Sequence, residues 1–370
     1  MKYKMKNILV LNYEFPPLGW WASPVSYELS KWYVDLWYTV DVITMWYKNL
    51  PEFENVDWIN VYRVKCLRTK KQVCHPWEQA TYLYSWYKKA KELLKTKKYD
   101  ICHAHFIIPT WVIALKLKKE FNIPYIITAH GSDVIWYNPR FSFLYKFLKK
   151  PWNNILENSK KIISPSKYLK EKIENINPKI KEKLEVIPNW IEKDKFKPLK
   201  KEKYILTVSR LQKSKWIQDL IEAVKNIELW EWKIKIVWDW PYKGTLEKMV
   251  KNYKLEDKVK FLSWIDNKSE EMEELYGKAS IFCQPSFFEN ASIVLLEAMQ
   301  SWCAIIARNA WWNPETISKK QLFEDIIDLE QKLNYLINNE EMLYSISNEN
   351  VEKIERYDWK NITLKYNKNL

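Results

Sequence analysis

Short apolar runs with the look of strands alternate with segments of helical periodicity along almost the whole chain. The first series reads NILVLNY (7–13), a helix over about 23–36, VDVIT (40–44), a helix over about 78–97 and DICHAHF (100–106). A helix over about 110–120, PYIITAH (124–130), a helix over about 140–158 and KKIISPS (160–166) complete it. The second series opens at YILTVSR (204–210) and runs through a helix at 215–227, KIKIVWD (233–239), a helix at 243–253, KVKFLS (258–263) and a helix at 269–277. SIFCQPS (280–286), a helix at 292–300, AIIAR (304–308) and helices near 325–338 and 340–355 follow. Alternation of this kind predicts parallel sheets covered by helices on both faces. Two series predict two doubly wound, Rossmann-like α/β domains facing across a cleft, with a ligand at the carboxyl ends of their strands. The charged, apolar-poor stretch IEKDKFKPLKKEK (191–203) reads as the boundary. The division is therefore 1–195, 196–350 and a final helix over 351–370, with the last five residues, YNKNL, frayed.

Composition narrows the class. The 370 residues are 47% hydrophobic, which supports two ordinary cores and excludes disorder. No apolar run approaches the roughly 20 residues of a spanning helix, and the start shows no signal-peptide pattern. Five scattered cysteines, Cys66, Cys74, Cys102, Cys283 and Cys303, read as reduced, as in the cytoplasm. A net charge of +14 favours anionic partners: nucleic acid, acidic lipid or a nucleotide-bearing substrate. Solvated helix faces are the plainer account of such lysines.

Two counts are abnormal: glycine is 4 and tryptophan 22 of 370 residues. The tryptophans fall where glycine is needed. Trp302 and Trp37 stand just past a helix and before a strand, where a left-handed backbone is common. Trp190 follows Pro188-Asn189, Trp238 and Trp240 bracket Asp239, and the pairs Trp20-Trp21 and Trp311-Trp312 lie in strand-to-helix loops. A side chain in the left-handed region costs roughly 1–2 kcal/mol, so many such sites would cancel a typical stability. The expectation is that most of these tryptophans, about 18, stand for glycine, as when one codon (UGA) has two readings; that exchange restores both residues to ordinary frequencies. Trp152 and Trp359 lie at no turn signal and read as true tryptophans, while Trp77, Trp232 and Trp264 are open.

Four segments carry candidate chemistry. FPPLGWWASP (15–24), read with glycines, is a strand-to-helix loop whose amides can meet a phosphate. In TVSRLQKSKW (207–216), Arg210 and Lys215 leave a strand end and enter a helix, and their cations suit a diphosphate. In PSFFENASIVLLEAMQSW (285–302), Glu289 precedes a helix and Glu297 lies within it, so one carboxylate can reach a sugar hydroxyl and the other a ribose. The amides of Asn290, Ala291, Ser292, Ile293 and Val294 at that helix start favour negative charge. His130 ends a strand at the cleft edge. His103 and His105 alternate with Cys102 on a strand with no further clustered ligand, so no metal site is expected. The aromatic and lysine interleaving that would suit nucleic acid rests on the suspect tryptophans, and no nucleic-acid partner is expected.

Taken together, FPPLGWWAS, HAHF, ITAHGSD, IPNWIE, TVSRLQKSKW, IVWDWP and PSFFENASIVLLEAMQSWCAIIARNAWWNPE resemble the retaining glycosyltransferases of family 4, of GT-B fold, in family order from 15 to 315, with a YDW tail at 357–359. Family glycines coincide with the tryptophans at 20, 21, 37, 190, 216, 238, 240, 302, 311 and 312. The resemblance implies transfer of a sugar from a nucleotide diphosphate sugar to a sugar or lipid-linked acceptor, with retention, without metal or resident cofactor, in cell-envelope or exopolysaccharide assembly. By position it implies that Arg210 and Lys215 bind the diphosphate, Glu289 the donor sugar and Glu297 the ribose. His130 would sit by sugar and acceptor, Gly19, Trp20 and Trp21 would line the phosphate and acceptor side, and residues 290–294 would supply amides. The final helix would return to the first domain. ISKKQLFED, after Glu315, is shorter than the family's loop. With the basic surface, the expected site of action is the cytoplasm, with peripheral contact to an anionic membrane. A nonenzymatic nucleotide-sugar-binding module and another GT-B enzyme, such as an epimerase, remain the rival readings.

Overall fold

The computed structural model describes residues 5–19, 22–107, 110–136, 142–238 and 241–370. Contacts divide the chain into two units, Met1–Ile187 with Thr363–Leu370, and Pro188–Ile362.

The first unit contains β1 (Asn7–Leu11), α1 (Ala22–Asp35), β2 (Thr39–Met45), β3 (Phe53–Val56), β4 (Ile59–Val64), α2 (Pro76–Leu94) and β5 (Ile101–His105). It continues with α3 (Trp111–Phe121), β6 (Tyr125–Thr128), α4 (Ser142–Asn158), β7 (Lys161–Ser164), α5 (Lys167–Ile176) and β8 (Leu184–Val186). Its eight strands are ordered β3-β4-β2-β1-β5-β6-β7-β8, all pairs parallel except the β3–β4 hairpin. β1 and β5 are buried along nearly their whole length, as expected of strands with helices on both faces. Direction reverses at β1: the chain first builds outward through β2, then returns to build outward through β5.

The second unit contains β9 (Glu202–Val208), α6 (Ile217–Val224), β10 (Lys233–Val237), α7 (Lys243–Asn252), β11 (Val259–Leu262), α8 (Glu270–Lys278) and β12 (Ala279–Gln284). Then come α9 (Ile293–Gln300), β13 (Ala304–Arg308), α10 (Asn313–Thr316), β14 (Leu322–Phe323), α11 (Ile326–Ile337), α12 (Glu340–Ile354) and α13 (Trp359–Asn369), whose last turns belong to the first unit. The sheet order is β11-β10-β9-β12-β13-β14, all parallel, with a buried apolar cluster on each side. Two doubly wound parallel sheets are the fold class that the alternating pattern predicts.

Three details differ from the sequence reading. The division falls at 187/188, ahead of the charged stretch, because Ile191 donates its amide to the Tyr357 carbonyl and pairs with Asp358, while the Phe196 amide donates to Gln300. Residues 351–362 also cluster with the second unit, so only the last eight residues join the first. Nor is YNKNL frayed: Tyr366 is buried beside His103, Asn367 accepts from the Tyr38 hydroxyl at 3.0 Å, and the Leu370 carbonyl accepts from Lys160 at 2.7 Å. The buried side chains of Tyr366 and Leu370 anchor the tail at both ends.

The backbone sorts the tryptophans. Fourteen non-glycine residues among those described have positive φ, and eight are tryptophan: Trp37, Trp58, Trp136, Trp216, Trp230, Trp238, Trp302 and Trp311. After α1 the Tyr38 amide reaches back to the Tyr33 carbonyl, and after α9 the Cys303 amide reaches the Ala298 carbonyl. Both are the bonding of a helix end closed by a left-handed residue, at Trp37 and Trp302, a position where glycine predominates. Asp57 and Trp58, with φ 48° and 64°, form the β3–β4 turn, whose two left-handed positions favour Asp-Gly. Trp238, at φ 122°, lies where side-chain-bearing residues rarely go. By contrast Trp312 has φ −83° and is buried against Tyr357, and Trp190 is buried against Trp359, so neither backbone calls for glycine. Trp152 is fully buried and donates to the Asp133 carbonyl, as befits a true tryptophan.

Candidate functional site

In an open parallel sheet, ligands bind outside the carboxyl ends of the strands where the winding direction reverses, because there the two flanking loops part to opposite faces. Each unit has one such point, between β1 and β5 and between β9 and β12. The candidate residues gather at both.

In the first unit the loop after β1 carries Gly19, at φ 85°, with its amide donating to the Lys71 carbonyl. A β-carbon there would stand 2.5 Å from that of Glu14, so glycine is required. Trp20 and Trp21 lie outside the described residues. His130 follows β6, next to the strand that carries His103 and His105. His105 Nδ1 and His130 Nε2 are 3.3 Å apart, and Phe106 packs on the His130 ring at 4.5 Å. His103 is engaged at both nitrogens, by the Tyr33 hydroxyl at 3.0 Å and by Thr128 Oγ1 at 2.8 Å. It is a satisfied core histidine, and burial lowers its pKa to about 3. Among the described residues no group of three or more His, Cys, Asp or Glu side chains is placed to hold a metal ion.

Asp133, to which the sequence reading gave no role, ties this region together. Its carboxylate accepts the amides of Ile107, from the loop after β5, and of His130. Burial raises its pKa to about 6 although these amides pull it down. Its signal in the sequence was an acid three residues after a strand-end histidine in HGSD, with its partner loop far away in the chain.

In the second unit β9 delivers Arg210 and, through a short turn, Lys215. β12 leads to Glu289. Because β9 and β12 are neighbours in the sheet, these loops meet, and Lys215 Nζ lies 2.6 Å from Glu289 Oε1, with both side chains about nine-tenths buried. The left-handed backbone of Trp216 closes the turn that presents Lys215. Beneath it, Arg308 at the end of β13 makes an ion pair with Asp219 of α6. Its guanidinium also donates to the carbonyls of Pro285, at 2.9 Å, and Glu324, at 3.1 Å, and packs on the Phe287 ring at 4.1 Å. Arg308 therefore fixes the start of the loop that ends in Glu289. The sequence offered only a guanidinium closing an apolar strand.

Asn290, Ala291 and Ser292 lead into α9, which begins at Ile293 and Val294. The first turn of a helix leaves its amides without intrahelical acceptors. Asn189 holds the Ala291 carbonyl at 2.8 Å, and Gln284 donates to the Ser292 hydroxyl at 2.6 Å, so this approach is fixed. Glu297 lies within α9, 1% exposed, and accepts from Asn267 at 2.9 Å. Burial raises its pKa. Glu289 and Glu297 thus occupy loop and helix respectively, as their spacing predicts. The segment after Glu315 passes through a single 3-10 turn, Lys319–Gln321, into β14.

Two doubly wound units, each with a switch point, give the chain the GT-B fold. Residues 22–195 match the family model described as Glycosyltransferase Family 4, and residues 189–353 the one described as Glycosyl transferases group 1. The chain belongs to this GT4-type group 1 family. An uncharacterized glycosyltransferase of Methanocaldococcus jannaschii is 29% identical over 323 residues, covering 81% of this chain and 80% of its own. The O-antigen chain mannosyltransferase RfbU of Salmonella typhimurium is 27% identical over 288 residues, covering 76% of each chain. The fold is shared with sucrose-phosphate synthase from Thermosynechococcus elongatus, at TM-score 0.82 and 18% identity over 98% of both chains. It is shared too with Anabaena HepE in complex with UDP and glucose, at TM-score 0.76 and 17% identity over 99% of both.

Proposed function

We propose that this glycosyltransferase moves a sugar from a nucleotide diphosphate sugar to a sugar or lipid-linked acceptor with retention at the anomeric carbon and without a metal, in cell-envelope or polysaccharide assembly. The observation that carries the reading is the Lys215–Glu289 pair at the β9–β12 switch point, beside Arg210 and the first turn of α9. In the transfer, the bond from C1 to the diphosphate oxygen breaks, the acceptor oxygen bonds C1 on the same face, and the acceptor proton passes to the departing phosphate. Arg210, Lys215 and the amides of 290–294 offset the charge that develops on that phosphate, which is where fixed cations and dipoles lower a barrier most. They supply the positive charge that a metal would otherwise bring. Glu289 receives the donor sugar, and Glu297 accepts the ribose hydroxyls in exchange for Asn267. His130 and the loop at 19–21 serve the acceptor side. The work is done from the cytoplasm at the inner face of an anionic membrane, a reading supported by the +14 charge together with the absence, among the described helices, of one long and apolar enough to cross a membrane.

The test is a screen of nucleotide diphosphate sugars against glycoside and lipid-linked acceptors with the full chain, read by product anomeric configuration. Retained configuration, undiminished by chelator, is expected, and Lys215→Ala and Glu289→Ala should each lower kcat by about 100-fold or more. An inverted product, donor conversion without acceptor, or nucleotide binding with no turnover for any pair would each overturn the proposal.

A further inference from the structure

Helix α4 (Ser142–Asn158) has one face that, among the described residues, no other part of its unit covers. Tyr145, Trp152, Ile155 and Leu156 turn into the core, with Leu148 packed at its margin. On the opposite side Phe143 and Phe147 are 73% and 66% exposed, one helical turn apart, with their rings edge-to-face at 5.3 Å. Lys146, Lys149 and Lys150 are exposed beside them and line a shallow depression with Pro151, Asn153, Asn154 and, at its far end, Glu157, so three cations face one carboxylate there. From Val134 to Leu156 the sequence contains no acidic residue.

Two neighbouring phenyl rings in water are costly for a surface helix, and three lysines beside them repel one another. Both costs vanish against one kind of surface. A leaflet of anionic lipid takes aromatic rings at its acyl boundary and ammonium groups among its phosphates, and a helix with apolar and basic residues side by side lies in that plane. Nucleic acid would satisfy the lysines, but a duplex backbone has no place for an edge-to-face phenyl pair. An acidic protein would satisfy the charge, but a stable protein interface needs a larger apolar core than two rings.

We infer that the Phe143–Phe147 pair with Lys146, Lys149 and Lys150 on α4 is the surface by which the enzyme docks on anionic lipid. This deepens the membrane contact proposed above and rests on it. The site is in the first unit, which the proposed function assigns to the acceptor.

The experiment is sedimentation of the full chain with vesicles of phosphatidylcholine alone and of phosphatidylcholine with phosphatidylglycerol at 70:30, a mixture on the order of the anionic charge of natural leaflets. Binding to the mixed vesicles only, weakened by salt, is expected. Lys146→Gln, Lys149→Gln and Lys150→Gln should each lower the partition coefficient about five-fold, and Phe143→Ser with Phe147→Ser by more than ten-fold relative to the parent. Circular dichroism and nucleotide diphosphate binding by these exposed variants should match the parent, which separates docking from folding and from donor recognition. No binding to either vesicle overturns both the membrane reading and this surface. Undiminished binding by the Phe143→Ser/Phe147→Ser variant overturns this surface alone. Equal binding to neutral vesicles, or competition by RNA at stoichiometric amounts, overturns the lipid assignment.

Discussion

Replacing three exposed tryptophans by glycine should stabilise the protein. Trp37, Trp58 and Trp230 are 82%, 81% and 68% exposed, and all three have a left-handed backbone. Their indoles contribute little by packing, so the backbone term decides. Relief of a left-handed side-chain-bearing residue is worth roughly 1–2 kcal/mol per site. Glycine gives back about 0.4–1 kcal/mol through the greater freedom of the unfolded chain. The net gain is therefore about 1 kcal/mol per site. Trp37→Gly with Trp58→Gly should raise the unfolding transition of the first unit by about 4–8 °C, and Trp230→Gly that of the second by about 2–4 °C. The controls are Trp152→Gly and Trp86→Gly, both fully buried with no positive φ. Loss of a large core side chain there should cost about 3–5 kcal/mol. Scanning calorimetry on the Trp37→Gly/Trp58→Gly double variant and on the five single variants reads all of this. The companion measurement is the intact mass of the protein from its source cell, which should fall below that of the written sequence by one tryptophan-to-glycine difference for each exchanged site. A mass equal to that of the written sequence, or Trp37→Gly and Trp58→Gly each lowering the transition, would refute the reasoning, because the strain argument leaves no room for either.

Two further outcomes follow from buried charge. Arg308→Leu strands the Asp219 carboxylate and frees two carbonyls, so denaturant unfolding should show a loss of about 3–5 kcal/mol, whereas Arg308→Leu with Asp219→Leu should recover part of it; equal losses in the two would sink the assignment. For His103, the folded pKa of about 3 lies below the unfolded value of 6.5, so its contribution is complete above 6.5 and is lost as pH falls. Between pH 7 and 5 that loss is about 2 kcal/mol. Asp133 acts in the opposite sense, since its pKa is raised from 3.8 to about 6 and its contribution is lost as pH rises through that range. Comparing denaturation midpoints of wild type and His103→Gln at each pH cancels Asp133, and the variant should show the shallower loss on acidification; superimposable profiles would mean that the imidazole is not held neutral.

The alternation of strands and helices was legible in the sequence because buried parallel strands are apolar on both faces and cannot be mistaken for anything solvated. The positions of Lys215 and Glu289 in loops after strands, and of Glu297 inside the helix that follows, were legible for a similar reason, since strand direction fixes where each loop emerges; that Lys215 and Glu289 pair was not read from the sequence. What stayed hidden shares a different cause. The β3–β4 hairpin was missed because its turn is written Asp57-Trp58, which conceals the Asp-Gly signal. Asp133 and Arg308 were missed because each works through backbone amides or carbonyls of distant loops, and such partners leave no mark in local composition. The charged stretch at 191–203 suggested a linker, yet charge reports exposure, and backbone pairing to Tyr357 and Asp358 is what joins it to the second unit.

Apart from Trp58 in the β3–β4 hairpin turn, the left-handed tryptophans fall into two sets by the edge of the sheet they occupy, and the distinction bears on function. Trp37, Trp230 and Trp302 precede β2, β10 and β13, at the amino ends of strands, where the chain leaves a helix or turn and re-enters the sheet. A compact left-handed residue is needed there only to make the turn. Trp136, Trp216, Trp238 and Trp311 follow β6, β9, β10 and β13, at the carboxyl ends, where open sheets bind ligands. In the second unit the half-buried indoles at 216 and 311 pack on Phe287 and Phe288, the residues leading to Glu289. A diphosphate held by main-chain amides needs its oxygens within about 3 Å of the backbone, an approach that an indole on the same residue obstructs. Glycine at the amino edge would thus serve folding, while glycine at the carboxyl edge would serve both folding and the close approach of a donor. That the same residue type is displaced at both edges, irrespective of role, points to a cause in how the codons are read and not in selection on either edge.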